Sequence, residues 1–115
     1  MLNIYAKMQN HAETVLKAMA EPNRLAILTL IRRRELRATE IAGHFKTTRP
    51  AVSQHLRVLT QAGLVHERRQ GTKRLYRLRP EGLRELRKLL DSFWDVKLNL
   101  LKAEVELEAR NRRDR

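Results

Sequence analysis

Between Thr48 and Gly63 the chain reads TRPAVSQHLRVLTQAG, and no other stretch restricts the fold so tightly. Thr48 brings a side-chain oxygen of the kind that caps a helix start, and Pro50 falls in a first turn, where a missing N–H costs nothing. Gly63 suits the residue just past a helix end. Val52, Leu56 and Leu59 lie at i, i+4 and i+7, so they form one apolar stripe that faces a core. Arg49, Ala51, Ser53, Gln54 and Arg57 are then turned largely away from it. Such a helix, expected over about 49–62, shows hydroxyl, amide and guanidinium groups to a partner.

The segments around it extend the pattern. Upstream, Tyr5, Met8, Ala12, Val15, Leu16 and Met19 recur at helical spacing and predict a first helix over about 5–20. Pro22 opens a second, whose body LAILTLI is the most apolar of the chain and whose end carries Arg32 to Arg34, favourable beside the carbonyl end of a helix dipole. A short third helix is expected over Ala38 to Phe45, with Ile41, Ala42 and Phe45 inward, followed by the turn KTT. Downstream, LVHERRQGTKRLYRL reads as two short strands, about 65–78, around a turn near Gln70 to Thr72.

Charge sharpens the reading. The 115 residues hold 25 Lys and Arg against 13 Asp and Glu, a net charge of +12. Residues 46–88 contribute +9 of it, from 12 basic and 3 acidic side chains. Cations concentrated on the amphipathic helix and the hairpin fit a surface that meets phosphates. The same concentration disfavours a membrane-lying helix, whose charge would run along one long amphipathic element. With 42% hydrophobic and 33% charged residues the chain reads as one soluble, cytoplasmic domain. It has no cysteine, which excludes disulfides, thiolate metal sites and thiol chemistry. No paired carboxylates, glycine-rich phosphate loop or nucleophile and base pair stands in a recognisable motif, so an enzyme is not expected.

From Pro80 a last helical region carries Leu83, Leu86, Leu90, Trp94, Leu98, Leu101 and Val105 in one row, with Leu89, Phe93, Val96, Leu100 and Leu107 beside it. Two apolar rows on a terminal helix exceed the need of so small a core, and a partner subunit is the expected cover. The pattern is compatible with one helix over 80–110 or with two broken near Asp91. Residues 111–115 are expected to be a disordered basic tail.

The order of elements is that of a helix-turn-helix followed by a wing. The stretch LKAMAEPNRLAILTLI, followed by ATEIAGHFKTTRPAVSQHLRVLTQAGLVHERRQGTKRLYRL, resembles the ArsR (ArsR/SmtB) family of bacterial transcription regulators. The resemblance runs from about Ala12 to Leu78. It implies a mainly α fold with a small two-stranded β-wing, and a homodimer joined through its terminal helices, with Tyr5, Met8, Leu90, Phe93, Trp94, Leu98 and Leu101 in the interface. It further implies a repressor that sets two recognition helices into successive major grooves of double-stranded DNA at an inverted repeat. In that groove Gln pairs with adenine and Arg with guanine, which gives Ser53, Gln54, Arg49 and Arg57 bases or phosphates to meet, and Thr47 and Thr48 phosphates. Arg68, Arg69, Gln70, Lys73 and Arg74 of the wing are expected on the backbone or in the minor groove. His55, at the border of the two faces, is read as structural or phosphate-contacting.

Many members of the family release DNA when metal binds, through E-L-C-x-C on the third helix. Here the aligned stretch is ELRAT, with Arg37 and Thr39 at the cysteine positions. A second ligand pattern, D-x-H and H-x-x-E, would fall on Pro80, Gly82, Phe93 and Val96, none of which ligates through its side chain. Starting it at Asp91 instead puts Phe93, Glu104 and Leu107 at the other positions. A chain without metal or cofactor is expected, its effector an unidentified small molecule or protein, if any. The alternative reading is a winged-helix module whose basic face binds an acidic protein.

Overall fold

The computed structural model describes residues 4–114, with side chains from His11 onward. Helix α1 spans Ile4–Met19 and α2 spans Pro22–Ile31. A short strand β1 (Leu36–Arg37) leads into α3 (Ala38–Ala42) and then α4 (Arg49–Gln61). Strands β2 (Val65–Gln70) and β3 (Lys73–Leu78) form the hairpin, and a 3-10 turn at Pro80–Leu83 runs into α5 (Arg84–Arg113).

The ends of the helices are written into local chemistry. Glu21 caps α2 by accepting the Arg24 N–H at 2.8 Å, with Pro22 in the first turn. Thr48 Oγ1 accepts from the Ala51 N–H at 3.2 Å and caps α4. At the other end of α4 the Gly63 N–H donates to Thr60 O and the Leu64 N–H to Leu59 O, both at 3.0 Å, with Gly63 left-handed at φ 78°. This doubly bonded stop satisfies two of the carbonyls a helix end leaves over, and it packs Leu59 against Leu64, both fully buried.

The core lies where α1, α2, α3 and α4 meet the inner face of the sheet. Val15, Ile27, Ile31, Ile41, Leu56, Leu59 and Leu64 are its fully buried large side chains. Ile27, Leu28 and Ile31 bear out the apolar body of α2, and Val52, Leu56 and Leu59 the stripe on α4. Sheet order is β1-β3-β2, antiparallel throughout.

The two-stranded wing stands as expected, and a third strand joins its sheet, because Leu36 and Arg37 pair with Tyr76 and Leu75 of β3 and bury Leu36 in the core. Two expectations are corrected. Helix α3 ends at Ala42 instead of Phe45. There the bonds from His44 N–H to Ile41 O and from Phe45 N–H to Ala42 O tighten the chain, so that Phe45 packs on the core from the turn. The segment expected to be a disordered tail continues α5 through Arg113, with Arg110, Arg112 and Arg113 beside its carbonyl end. The open question at Asp91 is answered by one unbroken helix of 30 residues.

Candidate nucleic-acid interface

Helix α4 presents the predicted polar face. Arg49, Ser53, Gln54, Arg57 and Gln61 are exposed while Val52, Leu56 and Leu59 are buried beneath them. The reason is periodicity: residues 53, 54, 57 and 61 lie within one side of a helix turning 100° per residue. Thr47 and Thr48 are exposed at its N-terminus. The Thr48 oxygen accepts the capping bond, which leaves its hydroxyl proton free to donate to an anion beside the positive end of the helix dipole.

His55 lies under this face. Its Nδ1 is 3.4 Å from the Arg24 guanidinium and 3.7 Å from Glu21 Oε2, and Arg24 Nε donates to Ala18 O at 2.6 Å. These contacts tie α4 to the junction of α1 and α2, in keeping with the structural one of the two roles, structural or phosphate-contacting, read for His55.

Hairpin geometry sorts the wing residues onto two faces. Val65, Glu67 and Arg69 stand opposite Leu78, Tyr76 and Arg74, and this inner face turns toward α4. A groove of about 170 Å³ separates the two elements, lined by Ser53, Arg57 and Gln61 on the helix side and Glu67, Arg74 and Tyr76 on the sheet side. Arg74 Nε lies 3.6 Å from Glu67 Oε1 at its edge. Burial pushes the Tyr76 phenol up, the nearby Glu67 charge adds to this, and Arg74 opposes it. His66, Arg68, Gln70, Lys73 and Arg77 occupy the outer face. The tip is the two-residue turn Gly71–Thr72, where Gly71 takes φ 63°, a left-handed conformation suited to glycine.

Arg68 is the predicted contact whose surroundings differ most from expectation. It is gripped by Glu35 ahead of β1, with the guanidinium to carboxylate distance 2.6 Å at its shortest. Arg69 and Lys73 make none of the ion pairs found among the described residues. Sequence reading missed Glu35, Glu67, Gln61 and Arg77. Alternation along the paired strands would have found Glu67, since it puts position 67 on the same face as Arg69 and Arg74.

Leu90, Phe93, Trp94, Leu98 and Leu101, the expected interface residues of α5, are all exposed, between 46% and 64%. Val96, Leu100, Val105 and Leu107 are exposed with them. Tyr5 and Met8 fall on the first turns of α1, where side chains lie outside the described residues. Among the described residues there is no group of three His, Cys, Asp or Glu able to hold a metal ion, and no helix is long and apolar enough to cross a membrane.

The chain shares this arrangement with known regulators. Residues 21–67 match the family described as bacterial regulatory protein, arsR family. Over 78 residues the chain is 46% identical to the HTH-type transcriptional regulator Rv2034 of Mycobacterium tuberculosis, which spans 68% of this chain and 73% of that protein. It is 37% identical over 78 residues, 68% of this chain and 75% of the relative, to the arsenical resistance operon repressor of Staphylococcus xylosus. Among solved structures, a possible transcriptional regulator for arsenical resistance superposes with a TM-score of 0.65 at 48% identity, covering 77% of this chain and 93% of its own. The homodimeric winged helix-turn-helix DNA-binding domain of a possible ArsR-family regulator from Mycobacterium bovis superposes with a TM-score of 0.66 at 31% identity, covering 85% and 91%.

Proposed function

The chain belongs to the ArsR family of bacterial regulatory proteins, and on that premise we propose that it is a homodimeric, sequence-specific repressor acting on promoter DNA in the cytoplasm. The observation that carries this reading is the exposed row Ser53, Gln54, Arg57 on a helix whose opposite face is sunk in the core. A helix fits the major groove, and an amide and a guanidinium read adenine and guanine edges there. Arg69, Gln70, Lys73 and Arg74 ring the wing tip and suit phosphates and the adjacent minor groove.

Dimerisation is supported by the uncovered apolar surface of α5. The residues Leu90, Trp94, Leu98, Leu101 and Val105 form one row, and Leu89, Phe93, Val96, Leu100 and Leu107 another, which on the continuous helix lies not beside the first, as expected, but about 140° away at 100° per residue. One helix with two separated apolar rows has two neighbours to satisfy, and its own α1 is one candidate. The homodimeric state of the Mycobacterium bovis domain supports a second copy as the other. Two copies related by a dyad put their recognition helices on two half-sites about one helical turn apart.

Selection of bound duplexes from a random pool, followed by footprinting, tests the reading. The expected result is an inverted repeat with half-sites about 10 base pairs apart, centre to centre, and affinity that falls steeply with salt. Failure to enrich any sequence, or binding indifferent to salt, overturns it.

A further inference from the structure

We propose that the outer face of the wing sheet, together with the arginines that follow α2, is a second phosphate-binding surface, one that takes up duplex DNA flanking the recognised half-site. This rests on the DNA-binding reading above. Its basis is where the strand register sends the cations. The inner face of the hairpin carries Arg69 and Arg74 beside α4, and these suffice for a wing that touches one backbone. The register sends Arg68, Lys73 and Arg77 to the other face, and Arg37 of β1 joins them through its pairing with Leu75. Arg32, Arg33 and Arg34, all exposed, lie just ahead of this strand.

Two acids stand among these seven cations. Glu35 is taken up by Arg68, and Glu40 by Arg37 at 3.1 Å. Lys73, Arg77, Arg32, Arg33 and Arg34 make none of the ion pairs found among the described residues. Proximity to the α2 carbonyl end accounts for one or two of the arginines after that helix. It does not account for Arg77, which belongs to a different element, β3.

The direction of this face identifies its occupant. With α4 in the major groove, the groove-lining inner face of the wing looks back toward the helix across one phosphate ridge. The outer face then looks along the duplex, away from the half-site. Lys and Arg on phosphates carry no sequence information, so the surface lengthens the contact without enlarging the recognised sequence.

The test uses the full chain carrying Arg33→Gln, Arg34→Gln and Arg77→Gln together, three exposed side chains that hold no ion pair among those found. Two duplexes carry the same selected operator, one trimmed to the inverted repeat at about 20 base pairs and one extended with random flanks to about 40. In the presence of non-operator competitor, the unmodified protein binds the longer duplex more tightly. The triple variant loses about 10-fold on the longer duplex, and its log–log salt slope falls by roughly 2 to 3 units, nearly one per lost phosphate contact. On the trimmed duplex it binds as the unmodified protein does, and its unchanged thermal midpoint shows an intact fold. Equal losses on both duplexes overturn the proposal. So does no loss on either, an outcome that assigns the strip to another anion such as an acidic protein surface. A protein that binds neither duplex overturns the DNA-binding reading instead.

Discussion

Arg68 and Glu35 form a two-pronged ion pair across the sheet: Arg68 Nε lies 2.8 and 3.0 Å from the two carboxylate oxygens and a terminal nitrogen 2.6 Å from one of them. The pair spans β3 and ties the hairpin to the segment that follows α2. The Arg68 hydrogen bond is the largest influence holding the Glu35 carboxyl below the usual carboxylate range, with Arg77 and His66 adding to it. A lowered carboxyl contributes stability above its ordinary range and loses that contribution as pH falls through the lowered value. Glu35→Gln is therefore expected to flatten the acid limb of thermal stability between mildly acidic and strongly acidic pH. At neutral pH the same change frees Arg68 and raises DNA affinity several-fold, with a salt slope steeper by about one unit. Fluorescence anisotropy over a salt series reads both; an unaltered slope would show that Arg68 stays off the phosphates.

On the DNA-binding reading proposed above, base reading and phosphate anchoring are expected to separate along α4. Gln54→Ala and Arg57→Ala are each expected to cost about 1–3 kcal/mol of discrimination at one base position while non-operator affinity changes less. Thr47→Val, at the exposed entry to the helix, is expected to weaken operator and non-operator DNA alike. Competition binding with single-base operator variants distinguishes the two patterns. Uniform weakening by Gln54→Ala would remove it from the reading face.

Gly82 meets the backbone of Gly63 so closely that an added Cβ would lie 2.0 Å from the Gly63 carbonyl oxygen. The end of α4 thus rests directly on the turn that launches α5. Gly82→Ala forces these elements apart, and a loss of about 1–3 kcal/mol is expected, as for other overpacked sites. Urea unfolding measures it, and a midpoint equal to that of the unaltered chain would mean the turn yields freely. Gly71→Asn at the wing tip provides the contrast, because nothing lies within 4 Å of a Cβ there and asparagine tolerates its left-handed φ.

Much of this architecture is legible in the sequence where one local rule decides the outcome. Thr48, Pro50 and Gly63 mark both ends of α4, and its 3.6-residue period separates Val52, Leu56 and Leu59 from Ser53, Gln54 and Arg57. What escaped reading depends on pairing between distant segments. Nothing near Leu36 announces a strand, since a two-residue strand has no alternation to detect, and it exists only because β3 offers it an edge. Glu35 and Arg68 are 33 positions apart, so the ion pair that engages a predicted DNA contact is a property of the register. The C-terminal residues RNRR looked like a tail because they lack apolar periodicity, yet the helix carries through them on propensity and on arginines well placed for its dipole.

Charge along α5 points to how two copies align. Reading from Arg84, the helix runs mainly basic (Arg84, Arg87 and Lys88, with Glu85 among them), acidic (Asp91, Asp95), basic (Lys97, Lys102) and acidic (Glu104, Glu106, Glu108), ahead of the basic last turn Arg110, Arg112 and Arg113. Reflected about Val96, each block meets one of opposite sign. Antiparallel pairing therefore sets Lys88 near Glu104 of a second copy and Asp91 near Lys102, whereas in-register parallel pairing sets like against like. Opposite charges across a seam select orientation more than they add affinity. Because the chain has no cysteine, the Lys88→Cys and Glu104→Cys chains can be mixed and treated with a short bismaleimide. Cross-linked dimers are expected from the mixture and not from either variant alone. Cross-linking within each single variant would establish the parallel arrangement. Trp94→Asp combined with Leu98→Asp is expected to give a monomer by sedimentation and to lower operator affinity by at least 10-fold, since each half-site is then bound alone; a doubly substituted chain that still sediments as a dimer would mean that this row of α5 is not the seam.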